Sequence, residues 1–314
     1  ALVDEGGELA EALDVNESLE VWGERADGTW CAWEWPCYIL PTSGSTGTPK
    51  FVKASQESLL HRIQWQWAHY PFETFTEEKV LRRTALTFVD SLAEIFAPLL
   101  CRSADVLLWV PSRRRMDTGG IDADFAQAAG MAGVSRITIV PSMLRVLLST
   151  CPDIASLWPS LKVVVVSGEA LTQSLATTFS RMLPDCALLN LFGSTEVAGD
   201  VTCYQSIESP SEVPWRGSPI GLPIQGNIVH VVRPSTTTSC NTFNSCEPEE
   251  TGELLIGGAQ VALGYENSPI QSSSSRFICD PCIDSVQQAG RFFLSGDLAY
   301  RGAGGLFWLG RSDN

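Results

Sequence analysis

Between residues 79 and 191 the chain alternates short apolar runs with longer stretches of helical spacing, and few folds accept that order. The apolar runs fall at 106–110, 137–140, 161–166 and 187–191. Between them, 91–100, 122–132, 142–148 and 171–183 repeat apolar residues at the three-to-four-residue period of an amphipathic helix. Val163–Val166 is four valines in a row, which suits a strand buried on both faces. Strands separated by helices are not joined by tight hairpins, so the alternation predicts an α/β fold with a parallel sheet flanked by helices.

The flanks read differently. Helical spacing occupies 55–68, with Leu59, Ile63 and Trp67 on one face. After about residue 205 the helical period disappears. Strand candidates at 228–232, 253–256, 291–294, 298–301 and 306–309 are punctuated by Gly and Pro, and predict a small β-rich subdomain shaped as a distorted barrel. Two polar stretches, 234–250 and 267–288, read as surface loops. Residues 1–35 are acidic and poorly periodic, and read as the remnant of an earlier subdomain. The chain opens on Ala1, which suggests that it begins inside a larger protein.

With 314 residues, 44% of them hydrophobic, the chain can bury a large core in one or two domains. A formal net charge of −15 disfavours nucleic acid and anionic membrane as partners. Any phosphate site must therefore be built locally, from backbone N–H groups and a few cations. No apolar run approaches the ~18 residues of a membrane span, and the opening residues do not read as a signal peptide. Ten cysteines without framework spacing suggest reduced thiols and a cytoplasmic setting. Cys279 and Cys282 form one Cys-x-x-Cys, and without a second pair this reads as an ordinary loop.

Several segments carry chemistry. Thr42-Ser43-Gly44-Ser45-Thr46-Gly47-Thr48-Pro49-Lys50 follows the apolar Tyr38-Ile39-Leu40 and reads as a loop leaving a strand. Its hydroxyls can donate to phosphate oxygens, Gly44 and Gly47 let backbone N–H groups turn toward an anion, and Lys50 adds a full positive charge. It is not the common P-loop, because Thr48 and Pro49 separate the second glycine from the lysine. Asn190-Leu191-Phe192-Gly193-Ser194-Thr195-Glu196 ends a predicted strand, where open parallel sheets bind ligands. Ser167-Gly168-Glu169-Ala170-Leu171 ends another, and also fits a turn serving a helix N-terminus. Ser295-Gly296-Asp297-Leu298 and Gly310-Arg311-Ser312-Asp313 follow in the β-rich part. Each alone also fits an ordinary turn.

In this order the segments resemble the adenylate-forming (AMP-binding) superfamily of acyl-CoA synthetases, nonribosomal peptide adenylation domains and luciferases. That family's loop reads Thr-Ser-Gly-Ser/Thr-Thr-Gly-x-Pro-Lys-Gly, matched here through Lys50, with Phe51 where glycine is usual. The resemblance implies ATP contact by Thr42, Ser43, Gly44, Ser45, Thr46, Gly47, Thr48 and Lys50, and by Gly168, Glu169 and Ala170. It implies an aromatic stack on adenine from Phe192, which replaces tyrosine, beside Asn190 and Gly193. Thr195 would contact the α-phosphate, Glu196 would hold Mg²⁺, Asp297 would accept the ribose hydroxyls and Arg311 would reach ribose or phosphate. Lys50, Thr195 and Glu196 are thus the implied catalytic residues. Thr251-Gly252-Glu253-Leu254-Leu255-Ile256-Gly257-Gly258 and Val261-Ala262-Leu263-Gly264-Tyr265 resemble a structural strand pair of the family.

The implied organisation is the large N-terminal lobe of the adenylate-forming fold, incomplete at both ends. Residues 1–54 would end a first α/β subdomain with the phosphate loop, 55–205 would form a second, and 206–314 a barrel-like unit ending at a hinge. The family's smaller lobe, with its catalytic lysine, follows that hinge, so slow adenylation at best is expected of these residues alone. Leu59-Leu60-His61-Arg62, Phe88-Val89-Asp90-Ser91 and the segment 193–200 resemble plant-type acyl-activating enzymes of the β-alanine-activating, aminoadipate-semialdehyde-dehydrogenase-like branch, near nonribosomal peptide adenylation domains. Amino-acid-activating relatives place aspartate where Val89 stands. Asp90 or Asp200 is the alternative anchor for a substrate ammonium. The implied reaction joins a small carboxylic or amino acid to AMP from ATP and passes the acyl group to a thiol, either CoA or the phosphopantetheine of a carrier domain. Two other readings are a nucleotide-binding regulatory protein that has lost catalysis, and a thiol or metal function at Cys279 and Cys282.

Overall fold

The computed structural model describes residues 36–42, 49–73, 78–101, 104–108, 122–206, 215–234, 241–266 and 276–312, and the account below concerns these. Strands β1 (Pro36–Thr42) and β2 (Lys50–Ser55) come first and pair antiparallel, with Thr42 opposite Lys50. The alternating region then runs α1 (Gln56–His69), β3 (Glu78–Arg82), α2 (Asp90–Cys101), β4 (Ala104–Leu108), α3 (Ala123–Met131), β5 (Arg136–Ile139), α4 (Pro141–Thr150), a short α5 (Ile154–Leu157), β6 (Val163–Val166), α6 (Gln173–Met182) and β7 (Ala187–Ser194). A 3₁₀ turn, Thr195–Val197, sends the chain back along β8 (Gly199–Ser206). The rest is strand: β9 (Ser218–Pro223), β10 (Asn227–Pro234), β11 (Thr242–Ser245), β12 (Gly252–Gly258), β13 (Gly264–Tyr265), β14 (Phe277–Cys279), β15 (Cys282–Ile283), β16 (Val286–Gln287), β17 (Arg291–Gly302) and β18 (Gly305–Arg311).

A parallel sheet is present as expected, in the order β4-β3-β5-β6-β7 with every neighbouring pair parallel, and it includes one strand, β3, that was not among the expected runs. Both faces are covered, as the valine run demands. One carries α3, α4, α5 and α6 over Leu81, Ile137, Ile139, Val164, Val166 and Leu188. The other carries α1 and α2, with Trp65 on Val163, Leu189 and Leu191, and Ile63 and Ala97 near Val80. Helix starts follow the expected capping chemistry. Ser55, Asp122 and Thr172 each accept a backbone N–H three residues on, capping α1, α3 and α6.

The β-rich part departs from the barrel expectation. From β7 the sheet continues antiparallel through β8, β9, β18, β17, β12 and β10 to β11, then parallel to β15 and antiparallel again to β16, and this path does not return on itself, so no closed barrel forms among the described residues. The reason lies in β8, which pairs with β7 on one side and β9 on the other and welds both regions into one sheet. The stretches read as polar loops also hold short strands, β11, β14, β15 and β16. They form because Phe243, Ile278 and Ile283 bury against Val232, Leu255 and Phe292 in a small separate core. The two strands expected at 291–294 and 298–301 are one, β17. Among the described residues no helix is long and apolar enough to cross a membrane.

Candidate active site

The chemistry-bearing segments meet because β13 docks on β2. Leu263 N donates to Lys53 O and Glu266 N to Phe51 O, both at 2.8 Å. Ala262 N donates to Glu196 O at 2.9 Å, which draws the 3₁₀ turn to the same place. Lys50, Glu196 and Tyr265 converge as a result. The Lys50 ammonium lies 4.9 Å above the Tyr265 ring centroid, and the Tyr265 hydroxyl donates to Glu196 Oε1 at 3.1 Å. Burial and the Glu196 charge push the Tyr265 phenol well up, while Arg276 and Arg311 act in the opposite sense. Three cations therefore lie within electrostatic reach of this tyrosine in a strongly acidic chain. Residues 43–48 of the predicted phosphate loop lie outside the described residues, but their flanks, Thr42 and Lys50, are cross-strand partners.

The Asn190–Glu196 segment arrives on β7. Its side chains alternate, so Leu189 and Leu191 face α1 while Phe192 packs on the cluster that holds Val197, Tyr265 and Phe293. Gly193 has a packing reason, since a Cβ there would lie 1.7 Å from Gly199 O. Thr195 opens the 3₁₀ turn, and the preceding Ser194 Oγ is buried without a hydrogen-bond partner among the described residues. Asn190 is buried and structural in its contacts, donating to Pro219 O at 2.6 Å and toward Ser218 Oγ at 3.4 Å.

The turn after β6 has Gly168 at φ +80, where a side chain is strained. Glu169 accepts from Ser142 N and Ser142 Oγ, each at 2.9 Å. It thereby caps α4, whose own N-cap residue Val140 offers no side-chain acceptor. Ala170 lines a cleft of about 300 Å³ with Leu171, Trp215, Ser218, Trp308 and Leu309. Trp308 leads from this cleft to the next predicted residue, its indole N–H donating to Asp297 Oδ1 at 2.9 Å. Asp297 and Arg311 face each other across β17 and β18, with Arg311 Nη1 at 3.5 Å from Asp297 Oδ2.

The two proposed ammonium anchors share one cavity beneath the sheet, lined by Arg62, Trp65, Asp90, Glu94, Arg136 and Asp200 among others, with a volume of about 30 Å³. They are not equivalent. Both Asp200 oxygens are engaged: Oδ2 by Arg62 Nε and Nη2 at 3.2 and 3.0 Å, Oδ1 by Ser167 Oγ at 3.2 Å. Asp90, the first residue of α2, forms no ion pair among the described residues. Burial, then repulsion from Asp200, raises its carboxyl to about 7 against the pull of Arg62. Glu94 is occupied by Thr84 Oγ1, Thr84 N and Arg83 N at 2.7, 3.0 and 3.1 Å, and Glu78 by Arg136. Arg62, Trp308 and Tyr265 are the residues that sequence reasoning left without a role. Each contacts a residue that it did single out.

The chain that folds into this sheet belongs to the AMP-binding enzyme family, whose sequence model matches residues 2–266. Among its curated relatives is the beta-alanyl-bioamine nonribosomal peptide synthetase ebony of Drosophila melanogaster, 34% identical over 284 residues, which are 88% of this chain and 30% of that protein. Enterobactin synthase component F of Escherichia coli K12 is 33% identical over 281 residues, 88% of this chain and 20% of that protein. The chain thus spans less than a third of the length of these two relatives. Among solved structures, the Vibrio cholerae adenylation domain AlmE in complex with glycyl-adenosine-5′-phosphate matches with a TM-score of 0.71 and 25% identity, covering 88% of this chain and 48% of that one. The N-terminal subdomain of Klebsiella oxytoca NpsA shares the fold at 22% identity and a TM-score of 0.71, over 91% of this chain and 67% of that one.

Proposed function

We propose that this chain is the core of a cytoplasmic ligase that activates a small amino-bearing carboxylic acid as its acyl adenylate. The observation that carries this reading is the convergence of Lys50 and Glu196 on Tyr265 in a member of the AMP-binding family. The substrate carboxylate oxygen attacks the α-phosphorus of ATP, an O–P bond forms, the bridge to the β-phosphate breaks and pyrophosphate leaves. In-line displacement of this kind needs positioning and charge neutralisation rather than a protein nucleophile. Lys50 supplies positive charge beside the phosphate loop, Thr195 a hydroxyl at the α-phosphate, and Asp297, held by Trp308, an acceptor for the ribose hydroxyls. Phe192 offers its ring to adenine, and Gly168, Glu169 and Ala170 the backbone beside it.

The donor set fits Mg²⁺. Among the described residues no cluster of three or more His, Cys, Asp or Glu side chains could hold a metal by itself. Glu196 offers one hard carboxylate, and a cation that takes one or two carboxylates and completes its shell with water and phosphate oxygens suits such a site. Bound there, Mg²⁺ would neutralise phosphate charge.

The cavity supports the substrate class. Arg62 balances Asp200, which leaves Asp90 as the carboxylate open to a substrate ammonium. A space of about 30 Å³ holds roughly one water molecule, so an acid enters only by moving lining side chains, which favours a small one. The likeness to nonribosomal peptide synthetases supports a carrier-borne phosphopantetheine over CoA as the thiol acceptor. The ten cysteines without framework spacing support a reducing compartment.

Pyrophosphate exchange, measured on this chain and on any longer form of the protein with β-alanine, α-amino acids and fatty acids, tests the reading. Exchange stimulated by a small amino acid and lost in Asp90→Ala is the expected outcome. ATP binding without exchange for any acid would replace it with the regulatory reading.

A further inference from the structure

Tyr265 sits in the two-residue strand β13, which resemblance alone casts as structural. Its surroundings are those of a site. The residue is buried, yet both of its contacts outside the apolar cluster are charged side chains from distant parts of the chain. The hydroxyl at the ring's edge meets the Glu196 carboxylate, and the ring's face meets the Lys50 ammonium. These are the positions at which a phenol attracts an anion and a cation respectively. No ion pair joins Lys50 to Glu196 among the described residues, although the same ring touches both. Direct pairing would consume the charge each needs for its own ligand. A carboxylate accepts through both oxygens, and among the described residues no hydrogen bond is made to Glu196 Oε2 beside the one Tyr265 gives to Oε1.

We propose that Tyr265 is a positioning residue of the phosphate and metal subsite: its hydroxyl orients Glu196 toward a divalent cation while its ring holds Lys50 apart from that carboxylate. The inference rests on the roles given above to Glu196 and Lys50. It makes the Val261–Tyr265 segment part of the active site. Partners that orient a metal ligand typically change metal affinity about 10–100-fold when removed, which sets the size of the expected effect.

Mn²⁺ binding to this chain, followed by electron paramagnetic resonance with α,β-methylene-ATP present, separates the outcomes. Glu196→Gln should weaken Mn²⁺ binding most. Tyr265→Phe, which keeps the ring and loses the donor, should weaken it about tenfold while nucleotide affinity measured in EDTA stays at the wild-type value. Tyr265→Leu should in addition weaken metal-free nucleotide binding, because Lys50 loses its platform. A Tyr265→Phe curve that overlays wild type beside a shifted Glu196→Gln curve overturns the positioning role alone. A Glu196→Gln curve that overlays wild type overturns the metal reading and the positioning role with it. A readout on the unaltered chain guards against a variant that fails to fold. With tyrosine Cζ labelled by ¹³C, adding Mg²⁺ to the nucleotide-bound chain should shift one of the five tyrosine signals, and no shift would overturn the proposal.

Discussion

Arg62 illustrates what one side chain decides here. Its guanidinium and the Asp200 carboxylate have side-chain exposures of 5% each, so neither charge is hydrated. Removing one partner of such a pair leaves the other buried and uncompensated, which costs about 3–5 kcal/mol. Arg62→Met should therefore lower the urea midpoint strongly, and Arg62→Met with Asp200→Asn should recover much of the loss. Equal midpoints for the single and double variants would deny the coupling. The pair was not legible in the sequence. Asp200 drew attention through its place after the Thr195-Glu196 segment, while Arg62 entered only as the last residue of a segment resembling one branch of the family. The two are 138 positions apart, and only the packing of α1 against β8 brings them together.

At the scale of elements, the alternating region was legible because helix and strand periods differ, and α1, α3 and α6 also carry a capping side chain at their start. Ser55 is one such signal: its side chain accepts from Ser58 N at 3.2 Å in a buried cap. Ser55→Ala should cost about 1 kcal/mol of stability, read as a lower denaturation midpoint with nucleotide affinity unchanged. α4 shows the opposite case. Its local sequence offers no capping side chain, and the acceptor comes from Glu169 after the neighbouring strand. Glu169 was singled out for a nucleotide, and in the structure it satisfies a helix N-terminus. Strands β11, β14 and β15 escaped notice because they are short and lie among polar residues. Only their joint burial identifies them.

For the whole molecule the clearest consequence concerns pH. In the unfolded chain Asp90 titrates in the ordinary carboxylate range, near 4. In the folded chain burial and Asp200 raise it to about 7. The folded state then binds the extra proton, so this contribution to stability is complete below about pH 4 and is lost as pH rises to about 7. Arg62 on α1, Asp200 on β8, Glu94 on α2 and Arg136 on β5 are the charged groups that line the cavity with it. Glu78 runs the other way. Burial opposes its ionisation, but hydrogen bonds from Arg136, the Glu73 backbone and Ser135 outweigh it and hold the carboxyl low, so its contribution is lost on acidification. Asp90→Asn should flatten the fall in urea midpoint between pH 4 and pH 7 and leave the acid limb unchanged. Parallel profiles for wild type and variant would show that folding does not raise the Asp90 carboxyl.

The sequence by itself determined the helix-flanked parallel sheet, because periodicity is a local property that survives any tertiary arrangement. It also determined the family, because the order of the motifs along a chain is itself information. The tertiary structure alone decided that the sheet continues past β8 instead of closing, that Arg62 neutralises Asp200 and leaves Asp90 open, and that Tyr265 stands between Lys50 and Glu196. Each of these is a contact between segments far apart in the chain. Local residue preferences carry no record of such contacts, because they arise only when burying apolar surface brings those segments together.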